Sequence, residues 1–371
     1  MKIPPFTLER YFAKYEFSAK YLLSSSDCES LTLPELLEMA SPEMRKTFFE
    51  LKLGYTESMG HPQLRAEAAN FYDGLSASNL LVAAPQEIIF LLMEALLQPG
   101  DHVISTFPGY QSLYEIARAV GCQVSMWEPD EAAGWHFDPA RLAELIRPET
   151  KLVVINFPHN PTGYVPSKSD FDEIIGMLRE RGIYLLSDEM YRFLEIESGT
   201  TLPSACEAYE KAFTLFGMSK TFGLPGLRIG WIASQDAPTL ARMLEIKDYT
   251  TICSSAPSEI LSIIALQNKD AIIEMQNARL ARNFALLDDF MAARPECFQL
   301  NRPRGGSICF PRMLGVESTL EFADTLVAEA SIMLAPSHVF DYGHQHFRIG
   351  FGRENFGEVL ALFGEYVDAL K

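Results

Sequence analysis

The feature that most constrains the fold is an alternation of short apolar runs with amphipathic stretches through the middle of the chain. The runs are rich in β-branched and aromatic residues and predict strands at 103–106, 123–127, 152–156, 184–188, 212–217 and 230–233. The amphipathic stretches predict helices at 87–97, 110–120, 139–145, 167–181 and 202–209. Strands and helices that alternate at this spacing form βαβ units. We therefore predict an α/β fold whose mainly parallel, mixed sheet is flanked by helices.

The C-terminal third has a different pattern. From residue 258 a long helical stretch runs to an Arg-Pro pair at 294–295, and short strands are predicted at 306–310, 332–335 and 347–351. Helical stretches are predicted at 319–329 and 356–370. The N-terminal 44 residues are too few to fold alone and should join this part or cross the domain junction. We predict a large α/β domain at 45–270 and a smaller α+β domain built from 1–44 and 271–371.

Charge and cysteine content exclude several classes of protein. The 371 residues include 49 acidic and 31 basic side chains, a formal net charge of −18 that opposes binding to nucleic acid or to an anionic membrane. The six cysteines are far apart, and the His344–His346 pair lacks further ligands, so we predict no metal site. The first 17 residues carry charges throughout, unlike a signal peptide. We expect a soluble, cytoplasmic protein.

Polar residues follow two of the predicted strands, and in folds of this class ligands bind beyond the carboxyl ends of strands. Asn156 and Asn160 bracket two prolines in NFPHNPTG, a segment that also suits a plain turn. Asp188 closes the strand in LLSDEMY. A carboxylate buried there would need a positive partner, although Asp also suits a helix N-cap.

Two further segments carry cations. In GMSKTFGLPGLRIG, Lys220 follows an apolar strand and could be a desolvated amine, and Arg228 could bind a phosphate or carboxylate. Taken alone, such residues are more often surface cations. Arg348 lies within the apolar segment HFRIGFG. Because an unpaired buried guanidinium is costly, Arg348 should meet an anion, either a ligand or an internal ion-pair partner.

Together and in this order, NFPHNPTG, SDEMY and SKTFGLPGLRIGW resemble the motifs of fold-type-I pyridoxal-phosphate enzymes, specifically the class I/II aminotransferases. Matching elements run from Tyr55 to Arg348, which covers most of the chain. The resemblance implies a PLP-dependent transferase-like fold and a pyridoxal 5'-phosphate cofactor. It also implies transfer of an amino group between an α-amino acid and a 2-oxo acid.

The resemblance assigns catalytic and substrate-binding roles. Lys220 resembles the lysine that forms the aldimine with the cofactor and then moves the Cα proton. Asp188 resembles the carboxylate that keeps the pyridine nitrogen protonated. Asn160 and Tyr191 resemble the donors to the phenolic oxygen of the cofactor, and Tyr191 also counts as catalytic. Arg348 resembles the cation that binds the substrate carboxylate, with Asn160 beside it.

The resemblance also assigns the rest of the cofactor site. Ser219 and Arg228 resemble phosphate ligands, and Tyr110 resembles the aromatic residue that stacks on the pyridine ring, although core packing would also explain it. Tyr55 resembles a tyrosine that a neighbouring subunit donates to the phosphate, which implies a homodimer. The phosphate loop at a helix N-terminus corresponds to Ala84, Pro85 and Gln86.

Two positions depart from the family pattern. Pro85 has no N–H to offer a phosphate. Gly217 stands where many members carry a Ser or Thr phosphate ligand, and we expect Ser219 to substitute for it. Both departures leave Lys220, Asp188 and Arg348 in place, so the cofactor should still bind.

Other reactions are alternatives to amino transfer. The same cofactor supports β-elimination or replacement, decarboxylation and cyclisation of an amino acid. Residues 23–29 resemble the corresponding stretch of the capreomycidine synthase-like branch, although a plain polar loop is the preferred explanation of this short segment. A further alternative is a non-catalytic protein that keeps the fold and senses an amino acid or the cofactor. The presence of Lys220 and Asp188 argues against this alternative.

Overall fold

The computed structural model describes residues 2–197 and 199–370. Outside the described residues lie Met1, Ser198 and Lys371, and Met1 and Lys371 are the outer ends of the predicted smaller domain. The strands in chain order are β1 (Tyr21–Leu22), β2 (Leu80–Ala83), β3 (His102–Thr106), β4 (Gln123–Trp127), β5 (Thr150–Asn156), β6 (Tyr184–Asp188), β7 (Ala212–Gly217), β8 (Gly230–Ser234), β9 (Phe298–Gln299), β10 (Ile308–Cys309), β11 (Arg312–Met313), β12 (Ile332–Met333), β13 (Ala335–Pro336) and β14 (Phe347–Gly350).

The helices surround these strands. They are α1 (Thr7–Tyr15), α2 (Leu33–Glu38), α3 (Pro42–Phe49), α4 (Pro62–Ala69), α5 (Pro85–Leu96), α6 (Ser112–Val120), α7 (Pro139–Leu145), α8 (Lys168–Arg181), α9 (Ala205–Ala208), α10 (Ala237–Lys247), α11 (Ala256–Gln267), α12 (Lys269–Ala292), α13 (Thr319–Ala330) and α14 (Phe356–Ala369). Short 3-10 turns lie at Ala77–Asn79, Pro225–Leu227 and Ser337–Phe340. Within the described ranges, no helix combines the length and apolarity that a membrane span requires.

A seven-stranded sheet organises the larger part of the chain. Its order is β2-β8-β7-β6-β5-β3-β4, and β8 runs antiparallel to both of its neighbours while the other pairs are parallel. The predicted α/β class with a mainly parallel, mixed sheet is confirmed. The six predicted strands are all present in it, and only β2 is additional to the prediction.

Burial on both faces explains the continuous apolar runs. In β5, Leu152 and Val154 pack into one hydrophobic cluster, whereas Val153 and Ile155 pack into another on the opposite face. Because successive side chains of a strand point to opposite faces, a strand covered by helices on both sides has no polar alternation. The helices that cover the sheet begin and end at conventional signals. The Ser167 side chain accepts a hydrogen bond from the amide of Asp170 to cap α8.

The helix predicted at 202–209 is shorter in the structure. It spans only Ala205–Ala208, because Ser204 caps it through reciprocal hydrogen bonds with Glu207. Residues 202 and 203 therefore precede the helix, in agreement with Pro203 lying just before the cap. The predicted helix at 110–120 likewise begins two residues later, at Ser112.

The N-terminal segment pairs with the C-terminal third of the chain. Strand β1 pairs in parallel with β12, and β14 lies between β10 and β13 in a three-stranded sheet. Helix α2 packs against α11, so the N-terminal segment also contacts the larger part. Residues 24 and 25 run directly over β14, where a Cβ on Gly350 would lie only 1.6 Å from the Ser25 carbonyl oxygen. Gly350 is what allows the N-terminal segment to reach the site described next.

Candidate active site

A cavity of about 380 Å³ opens beyond the carboxyl ends of β5, β6 and β7. It is bounded by the loops after these strands, the first turn of α5, the strand β14 and the N-terminal segment. The predicted site residues that line it are Pro85, Gln86, Tyr110, Asn160, Asp188, Tyr191, Ser219, Lys220, Arg228 and Arg348. The topology brings them together because parallel strands end at the same edge of a sheet.

Asp188 is a buried carboxylate at the end of β6, with 6% of its surface exposed. Its Oδ1 accepts a hydrogen bond from the amide of Met190 at 3.1 Å, as in an Asx turn rather than a helix N-cap. Burial raises the pKa of Asp188 to about 7, and the Met190 amide and the more distant Lys220 oppose this shift only in part. A carboxylate in this state favours a cationic ligand beside it.

Lys220 lies at the opposite side of the cavity floor, three residues after the end of β7. Its Nζ donates a hydrogen bond to Ser26 Oγ at 2.7 Å and lies 5.9 Å from the centre of the Tyr191 ring. The side chain is half-buried, so the amine can be reached from the cavity. It is placed to act as a nucleophile on a bound ligand.

Arg348 is almost wholly buried, with 2% of its surface exposed. Its Nε and one terminal nitrogen donate to the Ser24 carbonyl oxygen at 3.2 and 2.9 Å, and the other terminal nitrogen donates to Asn160 Oδ1 at 3.1 Å. Neutral oxygens orient the guanidinium, and in the described part of the chain no carboxylate pairs with it. Burial lowers the pKa of Arg348. The sequence allowed two partners for Arg348, a ligand anion or an internal ion pair. The described residues provide no internal ion pair.

Asn156 and Asn160 hold the loop after β5 against its neighbours. Asn156 Nδ2 donates to the Asp188 carbonyl oxygen at 2.9 Å, and Asn156 Oδ1 accepts from the amide of Asn160 at 2.8 Å. Asn160 then contacts Arg348, as described above. One asparagine thus links the ends of two strands, and the other orients the buried guanidinium. The sequence analysis singled out the motif NFPHNPTG that contains Asn156. It did not predict that Asn156 holds the loop in position through these two hydrogen bonds.

Two tyrosines face the cavity in different states. Tyr191 is buried, and its hydroxyl has no hydrogen-bond partner in the described part of the chain, so it is available to a ligand. Tyr110 donates its hydroxyl to Glu9 Oε1 at 3.0 Å, and its ring packs against Phe6 at 4.8 Å between ring centres. Burial, with the facing Glu9 carboxylate, raises the pKa of Tyr110. Tyr110 also lines the cavity.

The other end of the cavity has the character of an anion site. Arg228 is exposed, and the only polar partner of its guanidinium among the described residues is the Pro225 carbonyl oxygen, at 3.1 Å. Ser219 and the first turn of α5 lie at the same cavity. Helix α5 has no side-chain cap at its N-terminus, so its first amides and its dipole remain free to interact with an anion.

Two predicted residues do not line the cavity. Ala84 is the N-cap residue of α5 and borders a neighbouring apolar cavity instead. Tyr55 is 91% exposed in an extended segment before α4. Its exposure leaves it free to contact another molecule and does not connect it to the cavity of its own chain.

The N-terminal wall of the cavity is the part that sequence reasoning missed. Helix α1 and the segment before α2 contribute the side chains of Leu8, Glu9, Phe12, Glu16, Ser25, Ser26 and Asp27. Only the polar stretch at 23–29 carried a signal, and a plain loop explained it as well. Helix α1 has no motif that marks it, and its position depends on contacts with residues more than 100 positions away.

Comparisons with known proteins decide the family. The model of the class I and II aminotransferases matches residues 19–359. The chain belongs to this family. It is 28% identical to capreomycidine synthase of Streptomyces vinaceus, covering 94% of this chain and 90% of that one. It is also 28% identical to an aspartate aminotransferase of Sulfolobus acidocaldarius, covering 80% and 78%. A solved PLP-dependent aminotransferase from Streptococcus suis superposes with a TM-score of 0.94 at 32% identity, over 100% of this chain and 99% of that one.

The class I/II aminotransferase family and its solved members imply that the protein is an enzyme with pyridoxal phosphate as cofactor. The residues of the cavity fit this cofactor. Among the residues that the structure describes, no cation pairs with the buried Asp188, no group bonds to the Tyr191 hydroxyl, and no carboxylate pairs with Arg228. These three groups are complementary to a protonated ring nitrogen, a ring oxygen and a phosphate, respectively.

Both departures from the family pattern have a physical explanation in this aminotransferase. Gly217 pairs with Gly230 across β7 and β8, and a Cβ on Gly217 would lie 2.7 Å from the Gly230 Cα. A Ser or Thr at 217 would therefore clash with the backbone. Pro85 occupies the first position of α5, where the missing N–H would have no partner within the helix. The amides of the next residues remain available.

Proposed function

We propose that the protein transfers an amino group between an α-amino acid and a 2-oxo acid, with pyridoxal phosphate held at Lys220. The observation that carries this proposal is one cavity that holds a reachable amine, together with a buried carboxylate and a buried guanidinium that have no ion-pair partner in the described part of the chain. Each charge is left unbalanced in a way that a cofactor and an amino acid together would balance.

Bound pyridoxal phosphate supplies an electron sink that makes the Cα–H bond of an amino acid acidic. In our proposal, Asp188 keeps a proton on the ring nitrogen, which strengthens that sink. Asn160 and Tyr191 donate hydrogen bonds to the ring oxygen. Lys220 Nζ, released when the amine of the substrate takes its place, would take the proton from Cα and return it at a different carbon. Tyr110 provides the aromatic face on which the ring lies.

Arg348 binds the α-carboxylate of the substrate. Its two contacts with the Ser24 carbonyl oxygen and its contact with Asn160 fix the plane of the guanidinium before substrate arrives. A bidentate pair fixes the orientation of Cα as well as adding affinity. Arg228, Ser219 and the first amides of α5 hold the phosphate, with Gln86 as the first residue there that keeps its N–H.

We also propose a homodimer in which Tyr55 reaches the phosphate of the partner subunit. Large apolar side chains are exposed near Tyr55: Leu53 is 82% exposed and Tyr249 is 93% exposed. A hydrogen bond of 3.3 Å from Thr56 Oγ1 to the Ser254 carbonyl oxygen brings the two segments together. Large apolar side chains exposed on two segments that contact each other support an interface with another molecule. We expect light scattering to give the mass of a dimer, and Tyr55→Phe to weaken cofactor retention roughly tenfold.

The test of the reaction is direct. The purified protein with its cofactor is incubated with a panel of amino acids and a 2-oxo acid acceptor, and both the new oxo acid and free ammonia are measured. Amino transfer gives the oxo acid with no ammonia. Ammonia release would indicate elimination, and a product that retains the amine would indicate cyclisation or decarboxylation. Either result would overturn amino transfer and leave the cofactor assignment intact.

Two further proposals concern the cellular location and the division into domains. The six cysteines are all free thiols, which supports a reducing, cytoplasmic location. We keep the division into a domain at 45–270 and a smaller one from 1–44 and 271–371. The pairing of β1 with β12 supports this division, and the packing of α2 on α11 suits an N-terminal segment that crosses the junction.

A further inference from the structure

We propose that the substrate is an amino acid whose side chain ends in a cation, an ammonium or a guanidinium group. Glu9, Glu16 and Asp27, which we name the acidic wall, would receive that cation. This inference rests on the proposed function and specifies the substrate class of the same site. It starts from the charges that line the cavity.

The cations of the cavity are already committed. Those that line it within residues 2–197 and 199–370 are Lys220, Arg228 and Arg348. In the proposed function they serve the reaction, the phosphate and the substrate α-carboxylate. Among the described residues of one subunit none remains for a second substrate carboxylate, so they offer a dicarboxylic amino acid no partner for its side chain. The carboxylates are in the opposite situation, because only Asp188 has a use on the cofactor.

The acidic wall lies on the N-terminal side of the cavity. Glu9 accepts a hydrogen bond from the neutral Tyr110 hydroxyl, and Asp27 accepts from Arg353 at 3.1 and 2.9 Å. Glu16 forms no ion pair in the described part of the chain. Burial and repulsion from Asp27 and Glu9 raise the pKa of Glu16, and the fields of Arg353 and Lys220 oppose this shift only in part. A cation placed among them would relieve this repulsion.

Independent observations mark the same cavity as a ligand site. The Tyr191 hydroxyl is buried there without a partner, and the Arg348 guanidinium is buried there without a carboxylate among the described residues. The acidic wall is therefore part of a cavity built for a ligand and is not an isolated cluster on a surface.

The N-terminal segment places the acidic wall beside the bound amino acid. The Ser24 carbonyl oxygen contacts Arg348, and Ser26 Oγ contacts Lys220. An amino acid held at these two groups lies against this segment, and Asp27 is the next residue. Helix α1 completes this side with Leu8 and Phe12, and the Phe12 ring lies 5.7 Å from the Arg348 guanidinium. Apolar side chains there suit a methylene stem, and the carboxylates beyond them suit its charged end.

The test uses three unreactive acids that lack the α-amino group, so binding is measured apart from catalysis. Guanidinovalerate carries a cation, ureidovalerate is its neutral match, and adipate is its anionic match. Each is titrated by calorimetry into the protein loaded with its cofactor. We expect guanidinovalerate to bind roughly tenfold more tightly than ureidovalerate, and adipate to bind most weakly. Equal affinity for the first two, or tighter binding of adipate, would overturn the inference.

Variants locate the effect. Glu16→Gln and Glu9→Gln should each weaken guanidinovalerate roughly tenfold and leave ureidovalerate unchanged, because only the cation loses a charged partner. Glu38→Gln, an exposed residue of α2 outside the cavity, is the matched control. If both wall variants bind guanidinovalerate like the control, the acidic wall does not receive the cation and the assignment fails. Since the comparison of the three acids uses the unaltered chain, it remains decisive if a variant fails to fold.

The outcome is distinguishable from failure of the proposed function. Formation of an oxo acid from any amino acid supports amino transfer, whatever the side chain. Oxo acid from neutral or dicarboxylic donors in preference to arginine, ornithine and lysine would refute the substrate class and leave amino transfer standing. No oxo acid from any donor would refute amino transfer, while the calorimetric order of the three acids would still decide the acidic wall.

Discussion

The burial of Asp188 without a cation predicts that this residue destabilises the protein until the cofactor arrives. In the unfolded chain its pKa is 3.8, and in the fold it is about 7. The folded carboxyl therefore holds its proton at pH values where the unfolded one has lost it. Stability falls as pH rises through the interval from about 4 to 7, and the full cost is present above it.

The size of the effect follows from the difference between the two pKa values. At 1.36 kcal/mol per pKa unit, the raised pKa of Asp188 costs the fold roughly 4 kcal/mol at pH 8, and roughly 1.5 kcal/mol at pH 5, where only the unfolded carboxyl has lost its proton. Asp188→Asn keeps an oxygen for the Met190 amide and removes the charge. We expect the variant's advantage in free energy of unfolding over the wild type to grow by roughly 2.5 kcal/mol between pH 5 and pH 8.

The assay is urea unfolding of the cofactor-free protein at both pH values, with wild type and variant measured side by side. Titrating groups that do not interact with Asp188 cancel in this comparison. With pyridoxal phosphate bound, the ring nitrogen pairs with the carboxylate, so the advantage should shrink or reverse, and the variant should lose most of its turnover. A difference between the two proteins that stays constant from pH 5 to pH 8 would refute the reasoning.

Three further substitutions test other contacts. Lys220→Ala should remove the visible absorption band that borohydride reduces in the wild type, and a reducible band that survives would refute the lysine assignment. Arg348→Lys keeps the charge and loses the planar fork, so kcat/KM should fall about tenfold or more with the absorption spectrum intact; unchanged kinetics would make Arg348 purely structural. Gly217→Ser should lower the free energy of unfolding by about 1–3 kcal/mol, because its Cβ would lie 2.7 Å from the Gly230 Cα, whereas Gly226→Ser, with open space around it, should be silent.

The central sheet was predictable because its strands are buried on both faces. Runs such as that of β5 have no polar alternation and are bounded by turn residues, so they stand out in the sequence. Strand β2 was not predicted because its four residues run directly into Ala84 and Pro85 at the start of α5. Its place beside β8, to which it runs antiparallel, depends on a partner about 150 residues away and leaves no local signal.

The candidate site was predictable where it follows strands. Asn160, Asp188 and Lys220 each come just after a buried run, and the fold gathers such positions at one edge. The N-terminal wall could not be predicted in this way. Glu9 and Glu16 belong to a short helix and its end, and they meet the cavity through contacts with residues more than 100 positions away, such as the hydrogen bond between Glu9 and Tyr110.

That crossing has a consequence for how the protein is made. Ser24 and Arg348 contact each other across 324 positions of sequence. During synthesis the N-terminal segment emerges first, and the strand that carries its partner emerges near the end. Contacts of such long range form slowly, because a large loop must close before they contribute. The nascent chain can build much of its central sheet early, but we expect it to gain the ability to bind an amino acid only after translation of β14. A ribosome-bound chain truncated before residue 347 should therefore retain cofactor chemistry at Lys220 without a place for the substrate carboxylate.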